Sequence, residues 1–78
     1  MIPLEQWQET VTRELERAGF EVGFHRGYPL AMQPSDFWNR CQLIEFEPSV
    51  PSDKFLMSNG VLFVPSGSSA TVLGATPL

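Results

Sequence analysis

Leu4, Trp7, Val11, Leu15 and Ala18 recur at spacings of three and four residues, which aligns them on one stripe of a helix. Glu5, Glu9, Arg13, Glu16 and Arg17 fill the other faces, with Glu9 and Arg13 at the favourable i,i+4 spacing. Pro3 suits the first helical position, where its missing N–H is no loss. Gly19 is placed to turn left-handed after the last turn, with Phe20 folding back onto Leu15. The pattern predicts a helix over 3–18. Beyond Gly19 the period changes from 3.6 to 2: Phe20, Val22 and Phe24 point one way, and Glu21, Gly23 and His25 the other. That alternation predicts a strand over 20–25 whose apolar side closes the edge of the core. Arg26-Gly27-Tyr28-Pro29 reads as a turn, and Leu30–Met32 as a brief extended piece before Pro34.

The densest apolar stretch lies further on, where Phe55-Leu56-Met57 and Val61-Leu62-Phe63-Val64 flank Ser58-Asn59-Gly60. Asn-Gly between apolar runs is a strong hairpin signal, because both central residues of a type I′ turn need positive φ. A two-residue loop at Asn59-Gly60 predicts strands 54–57 and 61–64, with Met57 opposite Leu62 and Leu56 opposite Phe63. Phe55, Met57, Leu62 and Val64 then share one face, and Leu56, Val61 and Phe63 the other. Neither face is polar. Two apolar faces need two covers, and the helix is the one evident lid. It is expected over Phe55, Met57, Leu62 and Val64, which leaves Leu56, Val61 and Phe63 for a second chain or for the segment around Trp38.

Other elements are shorter. Gln42–Glu47 alternates like a strand, with Ile44 and Phe46 on one side and Glu45 and Glu47 on the other. Pro48 and Pro51 bracket an irregular link. Pro65–Ser69 makes a further turn, 70–73 a last strand, and 74–78 a frayed tail. Residues 34–41 fit either a helical turn after Pro34-Ser35 or a loop held by Phe37 and Trp38. Two adjacent rings cannot both enter one core from a regular element, so one of them faces outward. Together these elements predict a single α+β domain: one N-terminal amphipathic helix on a small, mostly antiparallel sheet of four to five short strands.

Size and charge narrow the function classes. With 78 residues, residues lining a deep pocket are hard to spare from a core that yields only about 3–5 kcal/mol. No apolar run approaches the ~18–20 residues that cross a bilayer, and residues 1–5 lack a signal-peptide pattern. A single cysteine, Cys41, implies no disulfide framework, so cytoplasmic residence is the default expectation. The net charge of −4 and five scattered basic residues argue against nucleic acid and anionic membranes.

Candidate chemistry is sparse. Cys41, His25 and Asp36 would supply a thiol triad, but no spacing joins them, and a buried structural thiol is the better reading. One Cys and one His fall short of a zinc set, and no calcium-loop pattern occurs. Ser66-Gly67-Ser68-Ser69 offers amides to an anion without the lysine of a phosphate loop. Glu45 and Glu47 read as a solvated face. No cofactor and no metal are expected.

The leading expectation is a small non-enzymatic protein-interaction domain that self-associates or docks as a subunit of a larger assembly. Its interface is expected at Leu56, Val61, Phe63 and Trp38, with a protein partner or a second copy bound there. An acidic inhibitor that uses Glu5, Glu9, Glu14 and Glu16 to block an anion- or nucleic-acid-binding surface is a first alternative. Arg13 and Arg17 interrupt its negative track. A thiol-dependent enzyme built on Cys41 and His25 is a second.

Overall fold

Helix α1 runs from Leu4 to Arg17, in a computed structural model that describes residues 3–42, 44, 50–67, 74, 76 and 77. Pro3, with φ −57° and ψ 147°, stands just outside the helix as its N-cap. At the other end Ala18 is the C-cap and Gly19 takes φ +93°. Gly19 N–H donates to the Glu16 carbonyl (2.9 Å) and Phe20 N–H to the Leu15 carbonyl (3.1 Å). This is the paired Schellman closure, with Phe20 and Leu15 in apolar contact beneath it.

Among the described residues, strands β1 (Val22–His25), β2 (Tyr28–Met32), β3 (Ser52–Met57), β4 (Gly60–Pro65) and β5 (Thr76–Pro77) form one sheet. Its order is β1-β2-β4-β3-β5, antiparallel throughout. A short helix, α2 (Phe37–Gln42), lies between β2 and β3. The α+β architecture is therefore the one expected, with four differences of detail.

The first difference is β2. Pro29 and a run of only five residues disguise it, yet it is the link between the two hairpins. Proline lacks the N–H that β4 would accept, and the β2–β4 ladder begins one residue later, at Leu30↔Leu62.

The second concerns the turns. Met57 faces Gly60 and Leu56 faces Val61, so the β3–β4 loop is Ser58-Asn59, and the pairing is displaced by two residues from the Asn59-Gly60 expectation. An even displacement keeps every side chain on its face. Among the described non-glycine residues positive φ occurs only at Arg26 (52°), so neither Ser58 nor Asn59 makes a type I′ turn. The primed geometry belongs instead to β1–β2, where Arg26 and Gly27 (φ 85°) are both positive between His25 and Tyr28.

The third is α2 itself, which carries the chain to Gln42 as helix at the start of the expected 42–47 strand. Residues 43 and 45–47, and the expected strand at 70–73, lie outside the described residues. The fourth is the tail. Thr76 and Pro77 pair with Leu56 and Phe55 as β5, where fraying was expected.

Core packing follows from a chain of side-chain parity. Phe20 turns under Leu15, so Val22 faces α1, and the ladders Val22↔Ala31 and Ala31↔Val61 carry that face to Val61 and Phe63. Trp7, Val11 and Leu15 accordingly pack with Phe20, Ala31, Phe37, Val50, Val61 and Phe63. The expected placement of the helix over Phe55, Met57, Leu62 and Val64 is thus reversed. On the far face Leu30, Phe55, Leu62 and Val64 form a second buried cluster, with Met32 and Met57 against it. Strand β4 is buried on both sides from Gly60 to Val64, which accounts for its unbroken apolar run.

Side chains from distant segments hold α1 in place. Trp7 Nε1 donates to the Pro51 carbonyl (2.9 Å), and Gln8 Nε2 to the Gly27 carbonyl (2.6 Å). At the other end Arg40 of α2 donates through Nη2 to the Ala18 carbonyl (2.7 Å), while its guanidinium lies 4.6 Å from the Phe20 ring centroid. A cation there complements the helix dipole. Arg40→Met should lower stability by about 1–2 kcal/mol, since a charge-assisted bond and a cation–π contact go together. Urea denaturation checks this; an unchanged midpoint would show that Arg40 does not hold the helix end.

Candidate interaction surface

The four residues expected at an interface do not form one exposed patch. Val61 and Phe63 are fully buried in the chain's own core, beneath α1. Leu56 is 38% exposed on β3 and Trp38 42% exposed on α2. Phe37 takes the inward position expected of one of the two rings, with Trp38 packed edge-on against it (5.3 Å, 77°). Leu62 and Val64 on the other face are buried too, and the cover of Val61 and Phe63, expected from a second chain or from the segment around Trp38, comes from α1 together with Phe37.

The candidate catalytic residues are also apart. Asp36 meets Arg40 Nη1 at 3.4 Å, at the C-terminal end of α1. His25 closes the β1–β2 turn, whose Gly27 is bonded to Gln8 near the other end of the helix. Ala18 lies ten residue steps along the helix from Gln8, about 15 Å. His25 Nε2 is buried with no hydrogen-bond partner. Cys41 lies on α2, with its side chain outside the described residues, as are Glu45 and Glu47. In the Ser66-Gly67 turn the Gly67 N–H already donates to Asp53 Oδ2 (3.0 Å), so a carboxylate of the chain occupies the anion position. Among the described residues no group of three or more His, Cys, Asp or Glu is placed to hold a metal ion. Nor, among them, is any helix long and apolar enough to cross a membrane.

The most exposed large apolar side chain described is one the sequence pattern placed inside. Phe24 is 61% exposed, although it faces the same side as Val22 and α1. The reason is its position. Among the described residues strand β1 is the sheet's edge, and α1 reaches Val22, which is half-buried, but leaves Phe24 beside an open groove. The groove has a volume of about 470 Å³ and is lined by Gln8, Glu9, Thr12, Arg13 and Glu16 of α1 with Phe24 of β1.

Backbone groups add to the ring. The Met32 N–H donates to the Glu21 carbonyl (2.8 Å). By antiparallel alternation, residues 21, 23 and 25 turn their amides toward β2, and Val22 and Phe24 turn theirs to the open edge. Strand β1 carries no Lys, no Pro and no internal charge, the usual guards of an edge. The opposite edge differs: β5 is two residues long and ends in Pro77. Charge on the groove wall is mixed. Glu9 and Glu16 stand with Arg13 on it, and Arg13 makes a 3.5 Å contact with Thr10 Oγ1.

An exposed strand edge could not be read from the pattern alone. The alternation at Phe20, Val22 and Phe24 marks a face, but only the strand order shows that the face outruns its cover. Comparison with protein-family models, curated proteins and solved structures finds no match.

Proposed function

We propose that this chain is a small, non-enzymatic protein-interaction domain, self-associating or docking as a subunit, that binds through the free edge of β1. The observation that supports this reading is Phe24, 61% exposed on an unguarded edge strand beside the α1 groove. A strand added there gains main-chain hydrogen bonds from Val22 and Phe24, and its alternate side chains enter the groove over Phe24. The acidic balance of the chain favours a protein partner over a phosphate backbone.

The reading is tested with the full chain and a displayed library of short random peptides. Selected binders should shift the Val22 and Phe24 amide signals in NMR spectra. Phe24→Lys should weaken them at least about tenfold, about 1.4 kcal/mol, with an unchanged melt. Binders that map to Trp38 or Leu56 and tolerate Phe24→Lys would overturn it.

A further inference from the structure

We infer that the occupant of the β1 edge is a second copy of this chain, added antiparallel about a two-fold axis through Gly23. This rests on the reading of that edge as an interaction surface and names its partner. Only Val22 and Phe24 offer outward backbone groups, so a self-pairing that uses both must set Val22 against the partner's Phe24 and Phe24 against the partner's Val22. That register makes four hydrogen bonds between the chains. It would join two five-stranded sheets into one of ten, with both α1 helices on the same face.

The same register is self-complementary in side chains. On the helix side each exposed Phe24 lies across from the partner's Val22 and enters the groove beside Thr12 and Glu16. On the other side the register sets His25 opposite the partner's Glu21, twice over, so that no like charges face each other there. Along the groove the helices run antiparallel, which sets Arg13 of one chain toward Glu9 and Glu16 of the other. Helix α1 lies over β2 and the strands beside it, so three strand spacings put the helix axes about 14 Å apart. Packed helices sit at about 8–10 Å, and the two phenylalanine rings with the long Arg13, Glu9 and Glu16 side chains suit the difference. At the axis Gly23 presents no side chain. A Cβ there would meet only Met32 Sδ, at 3.6 Å, an ordinary contact, so the position accepts a probe residue.

Sedimentation of the full chain over about 10 μM to 1 mM should show the mass rising from 8.7 kDa toward twice that, because a contact of this size is a weak one. Phe24→Lys should remain at 8.7 kDa across the series with an unchanged melt. The register is checked by oxidation in a Cys41→Ser background. Gly23→Cys should form a disulfide-linked dimer, since facing residues of such a pair lie about 4.5 Å apart at Cα. His25→Cys should not, because its two copies would stand about 13 Å apart along the strands. A wild-type chain that stays monomeric throughout, a dimer that survives Phe24→Lys, or His25→Cys linking as fast as Gly23→Cys would each overturn the inference. A monomer whose Val22 and Phe24 amides still respond to selected peptides would overturn the second copy alone; a monomer silent to those peptides would overturn the edge reading as well.

Discussion

Gly60→Ala should unfold the chain or come close to it, while Asn59→Ala should leave the melt within about 0.5 kcal/mol of wild type. In the sequence the two residues look like one turn signal, and a type I′ turn would make both substitutions costly. The structure separates them. Asn59 sits exposed in the loop without positive φ. Gly60 is the first residue of β4, paired with Met57 on one side and Met32 on the other, with φ +156°. A Cβ at Gly60 would run into the Ala31 carbonyl oxygen and carbon, which are backbone atoms and cannot swing away. Relief requires parting β2 from β4. Overpacking costs about 1–3 kcal/mol and more where nothing yields, and strained backbone adds about 1–3 kcal/mol. A domain of this size holds only about 3–5 kcal/mol. Circular dichroism melts of the two variants decide it; equal losses would restore the Asn-Gly turn.

Phe63→Glu is expected to abolish folding outright. Phe63 is fully buried and packs with Trp7, Val11, Leu15 and Phe37 in the chain's own core. Removing a buried phenylalanine costs about 3–5 kcal/mol, and the carboxylate that replaces it would enter a site walled by apolar side chains. Leu56→Glu, on the same face of the sheet but 38% exposed, should fold with a melt lowered only slightly. Amide dispersion in proton NMR spectra separates folded from unfolded for both. A folded, well-dispersed Phe63→Glu would show that this face is not the intramolecular core.

Local features were legible and propagated ones were not. The α1 stripe, its Gly19 stop and the return of Phe20 to Leu15 depend on residues within one turn of each other, and the pattern conveyed them. The hairpin's existence and the sorting of its residues into two faces follow from alternation alone. Which face receives the helix depends on β2, because parity passes from Val22 to Ala31 to Val61. With Pro29 hiding β2, nothing linked the helix to the hairpin, and two equally apolar faces offered no choice between them. Gly60 stands out in the sequence for a local reason, its place in an Asn-Gly pair, whereas its constraint in the fold is the Ala31 carbonyl on another strand.

The surface was the least legible part. An apolar residue in phase with the core is indistinguishable, in sequence, from one that the core fails to reach. Phe24 is in phase with Phe20 and Val22, and becomes a surface residue only because β1 ends the sheet and α1 lies over β2. Trp38 was legible as one of two adjacent rings, of which Phe37 went in.

The ladder between β2 and β4 also has a consequence in time. Its near end joins Met32 to Gly60, 28 residues apart (60 − 32), whereas each hairpin closes over two. Closing a loop of that length costs about 3 kcal/mol of chain entropy before any contact offsets it. Hairpins form in about 1–10 μs, so the slow event is the meeting of the two halves. During synthesis the delay is longer still. At roughly 5–20 residues per second, about 1–6 s pass between the emergence of β2 and of β4. For that interval Trp7, Val11 and Leu15 lie over a two-stranded ribbon without Val61 and Phe63 to complete their cover. The nascent first half therefore keeps part of its apolar helix stripe in water until β4 arrives.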